Sequence, residues 1–275
     1  MNIQNRNSLI AALGRDINLF IGAGFSVLAA DEQERRLPVG GELVDELVSH
    51  FMLEELAGTP LQQLCTIISR DRRDQLVDYL ITRFTVKSFD SAYKVTEKLS
   101  IRNIFTTNID NLIQTIFSDS HKYYINDVNV NGPVYRDRRG IDLFMLHGSV
   151  LVPTHPFRFG AIEVASSFGA DPDRWRYLKT QITKHPTLFL GYSFSDAATL
   201  EAIASHATGG GKASEAWILV RPPAKAGELE YFRALNLQII EGDVLAFLDF
   251  LHNDVPAIGT VSDYSGRQTE EVFPG

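Results

Sequence analysis

Short apolar runs recur along the chain, and each stops at a residue that favours a turn. Leu19, Phe20 and Ile21 end at Gly22, and similar runs lie at Ile104 to Phe105, Leu143 to Leu146, Leu188 to Leu190, Ile218 to Val220 and Leu237 to Ile240. Runs of this length between turn signals predict buried strands. Between them lie stretches of helical period, such as Leu43, Leu47 and Phe51, or Leu76, Tyr79, Leu80 and Phe84. Strands alternating with helices predict an α/β fold, doubly wound, with a mainly parallel sheet covered on both faces.

The spacing of these runs is uneven. From Gly40 to about Leu99 the pattern is helical with no convincing strand, too long for one ordinary crossover. Residues 40–99 therefore read as a helical insertion or subdomain within a single domain spanning 1–275. The stretch Gly148 to Gly169 carries Pro153 and Pro156 and reads as a loop that covers a site. The polar tail, 252–275, reads as peripheral.

Composition narrows the function classes. Lys plus Arg is 26 against 34 Asp plus Glu, a net charge of −8, the wrong sign for gripping a phosphate backbone, so no direct nucleic-acid partner is expected. No apolar run approaches the roughly 20 residues that span a bilayer, so no membrane contact is expected. The single cysteine, Cys65, forms no internal disulfide and cannot furnish a multi-cysteine zinc site, so no metal is expected and a reducing, cytoplasmic setting fits best.

Four strand ends carry candidate chemistry. Gly22, Ala23, Gly24, Phe25 and Ser26 follow the first strand, where glycines let backbone N–H groups approach a pyrophosphate. A tight turn that needs small residues is the alternative. Val27 stands where a dehydrogenase fingerprint has its third glycine, and no phosphate-loop lysine motif occurs. At the second strand end, Thr106, Thr107, Asn108, Ile109 and Asp110 enter a helix. Asn108 is suited to hold a water or a ribose hydroxyl and Asp110 a carboxamide, with helix capping as the alternative. His147 leaves the third strand beside Gly148, and its imidazole needs little tuning to move a proton at neutral pH. The fourth run is Gly191, Tyr192, Ser193, Phe194, Ser195 and Asp196, and Gly242 with Asp243 follows the last strand in the same manner. In an open parallel sheet all these ends line one crevice, which gives a Rossmann-like fold with a helical insertion or subdomain.

In order, GAGFS, TTNID, LHGS and GYSFSD resemble the sirtuin superfamily, whose members bind NAD in a doubly wound domain and break its nicotinamide–ribose bond. The resemblance spans about Leu19 to Asp243. It implies that Gly22, Ala23, Gly24, Phe25 and Ser26 face the pyrophosphate and ribose. Asn108 and Asp110 would surround the nicotinamide ribose and carboxamide, with His147 as the catalytic histidine. Gly191, Ser193, Gly242 and Asp243 would lie toward the adenosine half.

Departures from the family's deacylases are equally informative. Those enzymes carry a four-cysteine zinc ribbon after the catalytic histidine, whereas Cys65 is solitary and precedes His147. Thr107 replaces the glutamine before the family's asparagine. These departures match the zinc-free, sirtuin-like effectors of bacterial antiphage systems, which resemble NAD hydrolases and pair with sensors such as HerA-type ATPases. The resemblance implies NAD as substrate, nicotinamide and ADP-ribose as products, a homo-oligomer and a sensor or activator partner. The alternatives are an NAD-dependent deacylase or ADP-ribosyltransferase, or a module that senses NAD or ADP-ribose without consuming it. Because free NAD hydrolysis is toxic, inhibition through the 40–99 stretch or the 148–169 loop is also expected.

Overall fold

Alternation inside each apolar run decides how the sheet is covered. In β2 (Ile17–Ile21) every residue is buried, with Leu19 and Ile21 packed in one core and Phe20 in another. The computed structural model describes residues 1–132, 139–152, 157–160, 163, 164, 166, 171–193, 200, 203 and 214–256. Within them the order is β1 (Asn2–Ile3), α1 (Arg6–Leu13), β2, β3 (Ala29–Ala30), α2 (Gly40–Phe51), α3 (Leu61–Phe84), β4 (Ser88–Phe89), β5 (Ile101–Thr106), α4 (Leu112–Ile116), β6 (Tyr124–Asp127), α5 (Val128–Asn131), β7 (Gly140–Met145), α6 (Pro172–Lys184), β8 (Thr187–Leu190), β9 (Ala216–Val220), α7 (Ala226–Ala234), β10 (Gln238–Glu241) and α8 (Val244–Asp254). Short 3₁₀ turns cover Ala23–Leu28, Glu54–Leu56 and Ser91–Lys98. Phe194, Ser195, Asp196, much of Gly148 to Gly169 and the tail beyond 256 lie outside the described residues.

The eight-stranded sheet runs β1-β10-β9-β8-β2-β5-β7-β6, parallel throughout except at β1, which pairs antiparallel with β10. All six predicted strands are present. The pattern did not disclose β1, β6 or the small β3–β4 pair, and Ser88–Phe89 corrects the expectation that 40–99 holds no strand. Two-residue strands are too short to write an alternating pattern, and Tyr124–Asp127 is a partly exposed edge strand with one fully buried residue.

Leu19, Ile21, Ile104, Leu143, Leu188 and Leu219 pack beneath α1 and α8, and the opposite face packs against Trp175, Leu178 and Ile182 of α6 and Phe232 of α7. A third core joins α2 and α3 through Leu47, Phe51, Leu64 and Leu80, and Ile109 and Val150 from the sheet's strand-end loops enter it. On the second face Phe144, Phe105, Phe20 and Phe189 stand in register across β7, β5, β2 and β8. Each is one residue from its strand's end, and the Phe105–Phe144 and Phe20–Phe189 centroids are 4.9 and 5.3 Å apart. This row forms an apolar floor below the carboxyl edge of the sheet.

The connections reverse direction on either side of β2, since β5 and β7 lie to one side and β8, β9 and β10 to the other. Such a switch point leaves a crevice at the strand ends where ligands bind in open α/β sheets. Here the loops after β2 and β8 touch through their backbones. Gly22 N donates to Leu190 O and Gly24 N to Gly191 O, both at 2.9 Å. Gly191 has φ +65°, and a Cβ there would lie 2.0 Å from Phe25 N.

A buried ionic cluster fixes the loop after β3 against α2 and α3. Arg83 and Asp31 are only 3% and 1% exposed and approach within 3.1 Å. Arg83 also reaches Glu46 by Nε and Nη2, both at 2.8 Å, and donates to the Arg36 carbonyl at 2.6 Å. Burial pushes the Asp31 carboxyl up, but the Arg35 N–H and guanidinium and the Gln33 N–H outweigh it and hold the group below its ordinary value. Burial likewise raises Glu46, and the Arg83 guanidinium and Tyr79 hydroxyl overcome it. Carboxylates depressed in the native state lend stability above the ordinary carboxylate range and lose it as pH falls through their native pKa values.

Three outcomes are expected in urea denaturation. Phe105→Ala removes the middle of the aromatic floor and lowers the unfolding free energy by about 3–5 kcal/mol. Gly191→Ala costs more than the ~1–2 kcal/mol of a left-handed backbone alone, because its Cβ strikes the backbone of the β2 loop. Arg83→Met leaves buried carboxylates uncompensated and costs about 3–5 kcal/mol at neutral pH. The same variant loses less further stability between pH 6 and 3 than the wild type, because Glu46 returns toward its ordinary pKa.

Candidate functional site

The turn after β5 brings polar groups to the switch point. Thr106 Oγ1 donates to Ile21 O at 3.0 Å and accepts from Asn108 N at 2.9 Å, so β5 is pinned to β2 as the chain bends away. This bend aims Asn108 and Asp110 at the β2 loop, where Ser26 meets both. Ser26 Oγ donates to Asp110 Oδ2 at 2.9 Å, and Asn108 Nδ2 donates to Ser26 Oγ at 3.0 Å. The other Asp110 oxygen accepts from Leu112 N at 3.1 Å and so begins α4. One Asp110 oxygen thus serves the turn into α4 and the other faces Ser26.

Asp110 is deeply buried. Desolvation pushes its carboxyl above the ordinary value, against the Leu112 N–H, the Ser26 hydroxyl and the Asn108 amide, which favour the charged form. Tyr93 supports the opposite loop from below, donating its hydroxyl to Phe25 O and packing edge-on against the Phe25 ring at 5.0 Å. His147 leaves β7 beside Gly148, whose φ is +96°, and is 8% exposed. Leu146 N bonds Thr106 O at 2.8 Å, and Arg158 N bonds the His147 carbonyl at 3.0 Å, so the histidine's backbone is held on both sides.

These groups open onto one cavity of about 1120 Å³. Ala23, Gly24, Ser26, Thr107, Asn108, Asp110, His147, Gly191 and Ser193 all line it. Such a volume exceeds the usual range of small-ligand pockets. Gly22, Phe25, Gly242 and Asp243 do not line it. Gly22 lies under the turn, and Phe25 is buried in the core against Tyr93. Gly242 N bonds Val220 O at 3.0 Å, and Asp243 caps α8 by accepting from Ala246 N at 2.8 Å. The N–H groups of Gly22 and Gly24, expected from sequence to approach a phosphate, hold the β8 loop instead.

Several lining residues carry no sequence signal of a site. Leu37, Pro38 and Val39 form one wall with α2, continued by Gly58 to Gln63 and Phe84. Arg158, Arg221 and Glu228 also line the cavity, Arg221 just after β9 and Glu228 on α7. Arg221 directly follows the apolar run of β9, a strand-end signal like the other four, whereas the helical wall is joined to the sheet only by tertiary contacts. One such contact is Asn111 Oδ1 accepting from Val86 N at 2.7 Å. Among the described residues, no group of three or more His, Cys, Asp or Glu is placed to hold a metal ion, and no helix is long and apolar enough to cross a membrane.

The arrangement has two chemically distinct ends. One gathers an amide, a buried carboxylate and an imidazole over an apolar floor. The other offers Arg221 and Glu228 at the end of β9 and on α7. An elongated ligand with two polar ends fits this division.

No curated protein matches the chain. A solved structure described as a Sir2 mutant with a p53 peptide and NAD is 15% identical, covers 92% of this chain and 98% of its own, and superposes with a TM-score of 0.42. A family model described as a SIR2-like domain matches residues 102–240, just over half of the sequence. The matched span runs from β5 to β10 and contains Asn108, Asp110, His147, Gly191 and Ser193. The chain belongs to the SIR2-like domain family.

Proposed function

We propose that the chain is an NAD glycohydrolase that splits NAD and water into nicotinamide and ADP-ribose, and that it is the effector of a bacterial antiphage system. The observation that carries this reading is the meeting of Ser26, Asn108, Asp110 and His147 in one large cavity at the switch point. Family membership supports NAD as the dinucleotide. The lone Cys65, buried before His147, leaves no means of building the zinc ribbon of the deacylases.

The residues fit the two ends of a dinucleotide. A pyrophosphate would lie where the β2 and β8 loops meet and Gly24 and Gly191 line the cavity, with the adenosine half toward Arg221 and Glu228. Bound NAD supplies the reaction's leaving group, a neutral nicotinamide departing from a cationic ring. The carbon left behind becomes electron-poor, so the site must stabilise positive charge more than it must supply a strong nucleophile. Asp110 contributes negative charge or holds the carboxamide, and Asn108 orients the attacking water. His147 receives the proton that the water loses as its oxygen bonds to the ribose carbon, directly or through a ribose hydroxyl. Consumption of NAD in the cell requires control, which we assign to a sensor or activator partner and to homo-oligomer contacts through residues 40–99 or the 148–169 loop.

Purified chain, alone and with its activator, is expected to release nicotinamide and ADP-ribose from NAD without any acyl-lysine or protein acceptor. Asn108→Ala and His147→Ala should each lower turnover at least about 100-fold while leaving the circular dichroism spectrum unchanged. Cells carrying the wild type should lose NAD on phage infection, and cells carrying His147→Ala should not. An intact wild type that never consumes NAD, or that does so only with an acceptor, would overturn the assignment.

A further inference from the structure

The hydrogen-bond chain at Ser26 has a direction, and the direction decides which atom of Asn108 meets the substrate. An ionised carboxylate, the form that the three donors around Asp110 favour against desolvation, only accepts hydrogen bonds, whereas a hydroxyl carries one proton and an amide carries a donor and an acceptor of nearly equal shape. Asp110 Oδ1 takes the Leu112 N–H, and Oδ2 takes the Ser26 proton. That spends the only proton of Ser26, so its oxygen can offer Asn108 nothing but lone pairs. Asn108 must therefore turn Nδ2 toward Ser26, as the 3.0 Å contact records. The same amide favours the charged form of Asp110, which keeps its nitrogen on the Ser26 side. Oδ1 leaves the planar amide on the other side, and among the described residues no protein donor is hydrogen-bonded to it.

We infer that Ser26 is a positioning residue, whose buried hydroxyl locks the Asn108 amide so that Asn108 presents Oδ1 to the cavity and acts only as a hydrogen-bond acceptor, for a water or a ribose hydroxyl. Ser26 is 2% exposed, and both of its hydrogen bonds are spent on protein groups. It was expected from sequence to contact the ligand's pyrophosphate or ribose; its role here is to aim a neighbour. An acceptor in that place takes a proton of the bound water and leaves both of its lone pairs free, whereas a donor would occupy one of them and make the oxygen a weaker nucleophile.

The same logic makes Asp110→Asn informative. Leu112 N–H still requires an oxygen, so the new amide nitrogen would face Ser26 and donate to it. Ser26 would then give its own proton to Asn108, turning that amide round and placing a donor in the cavity. A change of one carboxylate oxygen to nitrogen should thus invert the chain while preserving shape.

The inference rests on the glycohydrolase reading, and two independent measurements separate them. In wild-type chain labelled with ¹⁵N, the Asn108 side-chain amide protons should exchange slowly with solvent. They should exchange fast in Ser26→Ala, and the protection should return in Ser26→Thr, which restores a hydroxyl. In NAD turnover, Ser26→Ala should lower kcat about 100-fold with KM changed less than about threefold, Ser26→Thr should recover most of it, and Asp110→Asn should be as impaired as Asn108→Ala. Unchanged Asn108 exchange in Ser26→Ala, full kcat in that variant, or a rise in KM with kcat intact would overturn the positioning role. If the wild type consumes no NAD, the glycohydrolase reading falls, and the exchange data alone still decide how Asn108 is held.

Discussion

The site depends on how closely the ends of β2 and β8 approach. Their loops share Gly22 to Leu190 and Gly24 to Gly191 hydrogen bonds, with spacing that only hydrogen atoms at the three glycine α-carbons allow. A Cβ at Gly22 would come within 2.6 Å of Gly191 O, and one at Gly24 within 2.9 Å of Gly191 Cα. Because β2 is also the strand to which Thr106 is pinned, this contact sets where Ser26 stands relative to Asn108 and Asp110. The glycines thus serve the ligand indirectly, by fusing two strand ends into one rigid edge.

Below that edge the aromatic floor of Phe144, Phe105, Phe20 and Phe189 excludes water, and the low-polarity surroundings give the buried polar groups above it their force. Asp110 illustrates the balance. Desolvation opposes its charge, while three donors support it and also fix its direction. On the opposite wall, Arg83 holds Asp31 and Glu46 together and so fixes the Leu37 to Val39 segment that borders the cavity. Removing either support would leave the fold's outline but loosen the distances that chemistry needs.

The strands of the central sheet were legible because both faces are buried, so Leu19, Phe20 and Ile21, and their counterparts in β5, β7, β8, β9 and β10, appear as plain apolar runs. The edge strand β6 and the two-residue strands were not, since neither burial nor length gave them a pattern. Residues at strand ends were legible as a set through their glycines, amides and histidine. Phe25, Gly22, Gly242 and Asp243 show the limit of that reading, since a strand-end position does not reveal whether a residue points into the crevice or into the core. The wall built by α2, Pro60 and Phe84 was illegible for a different reason. Its place beside the sheet rests on long-range links such as Val86 N to Asn111 and Arg83 to Asp31, which leave no local period.

Whether the switch-point cavity binds NAD with its scissile bond at the Ser26, Asn108, Asp110 and His147 cluster can be read from a crystal structure of His147→Ala soaked with NAD. The pyrophosphate is expected against Gly24 and Gly191, the adenosine toward Arg221 and Glu228, and the nicotinamide ribose within hydrogen-bond reach of Asn108 Oδ1. NAD bound elsewhere on the chain, or lying in the cavity with its adenosine over Asp110, would contradict it.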